Sequence, residues 1–270
     1  MDKLLTGKVA VVTGAAGAIG YGICEVLLEN GATVVATDLA GEKLDEFVQD
    51  LDTLAPGLST GLPMDVTSPE GVGAALDEVY AKYGRLDLVV HNAGIAYVAK
   101  IVEMDVERFQ LLEKVNVDGT LIVLKEAGKR MIERGVGGDI VVMSTKNVPS
   151  PSAGFGAYSA TKAACHQLGR IASLEFAPYD VRVNMIAPDA VFSEGKYKSG
   201  LWNLVGEDRM KSRGMSEEEL HEYYRNRNLL KASVTGRHVG NAVLYFASRQ
   251  SPTTGATIPV DGGLPDATPR

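Results

Sequence analysis

Short apolar runs alternate along this chain with longer segments whose apolar residues recur at helical period. The runs are Val9–Thr13, Thr33–Thr37, Leu86–His91, Asp139–Ser144, Val181–Ile186 and Thr257–Val260, with a weaker one at Ser59–Met64. They are short and largely β-branched, so they predict strands. The segments Ile19–Asn30, Glu42–Leu54, Pro69–Tyr83, Asp105–Arg134, Ala157–Pro178 and Gly236–Ser248 predict helices. Strand alternating with helix implies a parallel sheet with right-handed crossovers and helices on both faces. The expectation is one α/β domain over residues 1–270, doubly wound on a seven-stranded sheet.

One segment departs from this rhythm. Phe192 to Lys231 is polar, charged and only partly periodic, and it follows the sixth strand. An insertion there sits at the carboxyl side of the sheet, where open α/β folds place substrate-covering loops. A surface helical pair used for packing is the alternative. The insertion carries Lys196, Lys198, Arg209, Lys211, Arg213, Arg225 and Arg227. A cationic lid would suit a phosphorylated or carboxylated substrate. The interspersed Glu194, Glu207, Asp208 and Glu217 to Glu219 support instead a solvated charged face.

The first predicted strand runs into Thr13-Gly14-Ala15-Ala16-Gly17-Ala18-Ile19-Gly20 and then a helix. Glycines in such a turn let backbone approach a pyrophosphate, and the helix start supplies free N–H groups. The second strand leads into Asp38, placed to accept hydrogen bonds from both ribose hydroxyls of an adenosine. A 2′-phosphate would be repelled there, and no Arg or Lys occurs in Ala15-Ala16 or directly after Asp38. The expected cofactor is therefore NAD, over NADP. Asp65-Val66, after the third strand, is a candidate for the adenine amino group or a simple turn.

Tyr158 and Lys162 lie four apart in a predicted helix, which stacks them on one face. An ammonium beside a phenol favours the phenolate, so such a tyrosine can exchange a proton with an alcohol or carbonyl. Chance alone would produce about half a Tyr-x-x-x-Lys match in a chain of this make-up. Its company gives the pair weight: the glycine turn, and Ser144 at the end of an apolar run.

Composition narrows the field. The 270 residues are 45% apolar and carry a net charge of −7, which argues against general affinity for nucleic acid or anionic membrane. No run reaches the length of a membrane span and Met1 to Lys8 lacks a signal-peptide core, so a cytoplasmic protein is expected. Cys24 and Cys165 are expected as buried hydrophobes, and no Cys/His cluster has metal-ligand spacing.

Jointly, these residues resemble the short-chain dehydrogenase/reductase family over essentially the whole chain. The resemblance rests on the glycine turn ending at Gly20, His91-Asn92-Ala93-Gly94, Asn116, Ser144, Tyr158/Lys162 and Asp261-Gly262-Gly263. It implies a Rossmann fold and hydride exchange between a nicotinamide and a substrate carbon. Tyr158 would be the general acid/base. Lys162 would lower its pKa and bind the nicotinamide ribose, and Ser144 would hydrogen-bond the substrate oxygen. Asn116 would hold a water leading from Lys162 to solvent. Gly14, Ala16, Gly17, Ile19, Gly20, Asp38, Leu39, Asp65, Val66, Asn92, Ala93, Gly94, Pro188, Ala190 and Val191 would border the cofactor. The family also implies a homotetramer, assembled through the two long helices.

Three departures from the family pattern bear on specificity. The usual serine position, thirteen residues before the tyrosine, holds Thr145, so Thr145 is the alternative to Ser144. Asp189 follows Pro188 where glycine is usual, putting a carboxylate at the nicotinamide amide or the substrate mouth. Lys146 and Asn147 replace small residues and are candidate substrate contacts. Ser144 to Asn147, Ser199 to Trp202 and Glu222 to Leu230 look like a sugar and polyol branch. That branch includes the dehydrogenase portion of bifunctional rhamnulose-phosphate aldolase/lactaldehyde dehydrogenases and, more distantly, sorbitol-6-phosphate dehydrogenases. The expected activity is oxidation of a polyol, sugar or sugar-phosphate hydroxyl. The alternatives are a carbonyl reductase of a non-sugar ketone and a non-catalytic NAD-binding protein.

Overall fold

The computed structural model describes residues 3–193, 195–197, 206, 210 and 214–265. Its strands are β1 Val9–Thr13, β2 Thr33–Asp38, β3 Ser59–Pro63, β4 Leu88–His91, β5 Gly138–Met143, β6 Val181–Pro188 and β7 Thr257–Val260. They form one parallel sheet in the order β3-β2-β1-β4-β5-β6-β7. The order reverses between β1 and β4, so their carboxyl ends diverge into a crevice. In register, Thr13 lies between Thr37 and His91, which levels the rim of that crevice.

The central strands are buried on both faces, which explains their unbroken apolar runs. Alternate residues serve opposite layers. Ala10, Val12, Leu88, Val90 and Val141 pack on one side with α1 (Ala18–Glu29), α2 (Glu42–Leu54) and α8 (Gly236–Ala247). Val9, Val11, Val89, Ile140 and Val142 pack on the other with α3 (Pro69–Tyr83), α5 (Gly119–Arg134) and α6 (Gly156–Phe176). β7 is half exposed, as befits an edge.

The long helix expected over Asp105–Arg134 is interrupted. α4 (Val106–Leu112) leads into a π-helical turn at Glu113–Asp118 before α5 begins. Helical period continues across such a turn, so the apolar pattern hides it. Its effect is to aim Asn116 inward, where it is fully buried. β6 runs on to Pro188, beyond the expected Ile186, because Ala187 and Pro188 pair in register with Pro259 and Val260. The insertion contains α7 (Glu217–Arg227), opened by a capping box of Ser216 and Glu219. Cys24 and Cys165 are buried free thiols. Among the described residues no helix is long and apolar enough to cross a membrane.

α1 and α8 touch backbone to backbone. A Cβ on Gly22 would overlap the main chain of Gly236 and Arg237, and one on Gly236 would overlap Ala18. Main chain cannot rotate aside as a side chain does. Gly22→Ala is expected to destabilise the fold by about 1–3 kcal/mol. Urea unfolding checks this, and an unchanged midpoint would contradict the contact.

Candidate active site

The carboxyl ends of the central strands open onto a cavity of about 660 Å³, within the range of cofactor and substrate sites. Every residue expected from the sequence to hold cofactor or substrate lines it, except Ala16 and Asn116. Each of those two supports a residue that does.

At one end, β1 turns at Gly14, whose φ of +58° favours glycine. A Cβ there would also lie 2.7 Å from Ala93 Cα. Gly17 precedes α1 without a capping side chain, and the first turn of α1 has no acidic residue. Its free N–H groups and positive dipole end therefore suit an anion. Asp38 is fixed at the end of β2: Oδ2 accepts from Ala16 N at 3.0 Å and Oδ1 from Leu39 N at 2.9 Å. Lys43 lines the cavity nearby, a cation that the local sequence around Asp38 did not announce. A narrow glycine turn, an uncapped helix start and a carboxylate at the second strand end together fit a dinucleotide.

The rim between β1 and β4 depends on a buried network. Thr13 Oγ1 accepts from Asn92 N at 3.1 Å and Ala93 N at 3.0 Å, so its own proton goes to His91 Nδ1 at 3.2 Å. Thr120 Oγ1 donates to Asn116 O at 2.6 Å and receives from His91 Nε2 at 3.0 Å. This fixes His91 as the neutral Nε2–H tautomer. Burial, helped by the Lys162 charge, pushes His91 down to about 3.

At the other end, Asn116 clasps the loop after β4. Its Oδ1 accepts from Ile95 N and its Nδ2 donates to Ile95 O, both at 2.9 Å. Nδ2 also donates to Thr161 Oγ1 at 3.0 Å, and Thr161 in turn donates to Tyr158 O at 3.0 Å. Lys162 donates to Met143 O at 2.9 Å. A Cβ on Gly94 would lie 3.2 Å from Asn116 Oδ1 and 3.3 Å from Lys162 Nζ, so the three converge. Tyr158 packs edge-on against Phe155 with ring centroids 6.2 Å apart.

The two candidate hydroxyls differ in their partners. Ser144 Oγ hydrogen-bonds His166 Nδ1 at 2.9 Å. Thr145 Oγ1 accepts from Asn147 N at 3.3 Å and reaches Pro188 O only at 3.5 Å.

α7 closes the substrate end. Leu220 and Tyr224 pack with Phe192 as a separate apolar cluster, and Leu220, Tyr224 and Arg227 line the cavity. Arg227 Nη2 donates to Asp189 Oδ1 at 2.8 Å and Oδ2 at 2.6 Å. Its guanidinium lies 4.6 Å from the Tyr224 ring centre. Burial opposes the Arg227 charge, yet Asp189 holds its pKa above the usual arginine value. Lys196 pairs with Asp50 and Arg225 with Glu222, while Lys198, Arg209, Lys211, Arg213 and the stretch Ser199 to Trp202 lie outside the described residues. Arg227 was not a predicted site residue. The unusual Asp189 was the signal for it, since a buried carboxylate calls for a cation. Among the described residues no cluster of His, Cys, Asp and Glu could hold a metal.

Residues 14–265 match the family model described as enoyl-(acyl carrier protein) reductase. The chain belongs to the short-chain dehydrogenase/reductase family. It is accordingly an NAD(P)-dependent oxidoreductase acting on CH–OH groups. It is 33% identical over 265 residues to the uncharacterized oxidoreductase YuxG of Bacillus subtilis (strain 168), covering 97% of this chain but 38% of that protein. It is 31% identical over 268 residues to D-threitol dehydrogenase of Mycolicibacterium smegmatis, covering 97% of this chain and 94% of that one. The structure of an NAD+-bound xylitol dehydrogenase superposes with a TM-score of 0.85 at 25% identity, covering 96% of this chain and 99% of that chain.

The His91 network predicts acid sensitivity. Below the ordinary histidine pKa of 6.5 the unfolded chain takes up a proton that buried His91 refuses until about 3. This histidine therefore stabilises the fold fully above 6.5, and its contribution falls as pH drops towards 3, by at most about 1.4 kcal/mol per pH unit. Urea unfolding from pH 7.5 downwards checks this. The wild type should lose stability more steeply than His91→Gln, and parallel curves would contradict the assignment.

Proposed function

We propose that this protein is an NAD-dependent dehydrogenase that interconverts a secondary alcohol and a ketone on a polyol or sugar. The observation that carries the reading is that Asn116 and Lys162 meet beside Gly94 while Tyr158, one turn before Lys162 on α6, lines the same cavity. The nicotinamide, when bound, accepts the hydride. Tyr158 Oη takes the hydroxyl proton of the substrate. Lys162, one turn along α6, brings its ammonium to the same cavity. The partner hydroxyl comes from Ser144 or Thr145. Ser144 is engaged by His166, which leaves Thr145 Oγ1 better placed to donate to the substrate oxygen.

Asp38 supports NAD, because its carboxylate occupies the end of β2 and would face a 2′-phosphate. Lys43 favours the alternative, and the carboxylate dominates because it is held in place by two backbone N–H groups. A polyol or sugar agrees with the substrates named for the threitol and xylitol enzymes. The likeness to rhamnulose-phosphate aldolase/lactaldehyde dehydrogenases rests on Ser144 to Asn147, Ser199 to Trp202 and Glu222 to Leu230. Exposed Val106, Leu111, Leu121, Ile171 and Leu174 on the α4, α5 and α6 faces support self-association into a tetramer.

Tyr158→Phe is expected to lower kcat at least about 100-fold while leaving dinucleotide binding intact. Kinetics paired with calorimetry checks this, and substantial retained turnover would sink the role of Tyr158. In the same assay Thr145→Ala should lose more kcat than Ser144→Ala, and the reverse order assigns the donor to Ser144. Wild type should prefer NAD to NADP by at least about tenfold in kcat/KM. Asp38→Ala should shift the ratio towards NADP, and adding Lys43→Met should cancel part of that gain. A wild-type preference for NADP would contradict the cofactor assignment.

A further inference from the structure

The loops that follow β5 and β6 are stitched side by side. Lys146 N donates to Pro188 O at 3.0 Å, and Thr145 Oγ1 reaches the same carbonyl. Asn147 and Asp189, each the next residue in its loop, both line the cavity. Asn147 is only 7% exposed, and its Oδ1 has no hydrogen-bond partner. Arg227 reaches Asp189 through Nη2, and its Nε is also buried without a partner. Buried amide and guanidinium groups are normally satisfied, so such atoms mark a place where a ligand completes the bonding.

Charge narrows the ligand. The Asp189 side chain is 7% exposed and Arg227 spends its charge upon it. The pair is close to neutral, the neighbouring Lys146 Nζ is engaged by Ser150 O and Ser152 Oγ, and the Asp189 carboxylate would repel a phosphate approaching the same wall. A hydroxyl group both donates and accepts, so it can meet an amide oxygen, an amide nitrogen or a guanidinium N–H without bringing charge.

We infer that the substrate is an uncharged polyol with hydroxyls remote from the reacting carbon, read by Asn147, and that the Asp189–Arg227 pair excludes its phosphate ester. This rests on the dehydrogenase reading above. Asn147 acts by holding the substrate and not by moving a proton. Its removal therefore raises KM more than it lowers kcat. A substrate without remote hydroxyls leaves the buried amide unsatisfied and pays for it in affinity.

The test compares NAD-dependent oxidation of xylitol and D-threitol, their terminal phosphate monoesters, and 2-butanol. Wild type should favour a free polyol over its phosphate by at least about 100-fold in kcat/KM. Asn147→Leu should lower kcat/KM for the polyols roughly tenfold more than for 2-butanol, chiefly through KM. Asp189→Asn, which frees the Arg227 charge, should narrow the preference against phosphate by roughly tenfold. Equal or better use of the phosphate by wild type would overturn the inference. So would equal losses on polyol and 2-butanol in Asn147→Leu, or no loss on either. Asn147→Ser serves as the second variant should the leucine protein fail to fold, with the same differential expected. If wild type oxidises none of these alcohols with NAD or NADP, the dehydrogenase reading itself falls. Turnover of 2-butanol and phosphates without polyol preference defeats only the present inference.

Discussion

The side chain of Asn116 joins three segments that lie far apart in sequence. It holds both backbone groups of Ile95 after β4, sits on the π turn between α4 and α5, and donates to Thr161 on α6. A fully buried amide with every group satisfied fixes these positions tightly. Thr161 passes the constraint to the backbone of Tyr158. Lys162 is held from the other side by the carbonyl of Met143 at the end of β5. The positions of Tyr158 and Lys162 follow from that clasp together with the end of β5.

The cavity divides by electrostatic character. Its cofactor end offers uncapped N–H groups at α1, then a carboxylate at Asp38, an order that matches a pyrophosphate followed by a ribose. The middle carries the tyrosine and lysine. The far end is closed by α7, whose Arg227 is paired with Asp189. A sheet with a levelled carboxyl rim brings these regions together: Gly14 and Asp38 stand at strand ends, and Lys162 on α6 is tied to the end of β5 through Met143 O.

Much of this was legible in the sequence. Apolar runs separated by helical periods gave the sheet, because strands buried on both faces must be apolar throughout. The placement of the glycine turn and of Tyr158 and Lys162 on one helix was legible because it depends on local spacing. What escaped depends on contacts between distant residues. The π turn was hidden because one extra residue per turn barely disturbs an apolar stripe. The Asp189–Arg227 pair spans 38 positions, so only the oddity of Asp189 hinted at it. His166 gave no sign that it would occupy Ser144. Counting cations in the insertion left a cationic lid and a solvated charged face both open, and of the cations described Lys196 pairs with Asp50 and Arg225 with Glu222.

On the proposed reading, this cavity places a substrate carbon against a nicotinamide for direct hydride exchange. Mass spectrometry of the dinucleotide after turnover of a polyol deuterated at its carbinol carbons follows that hydride. One deuterium is expected in the reduced nicotinamide and none in water. Unlabelled reduced dinucleotide, or no reduction at all, would contradict it.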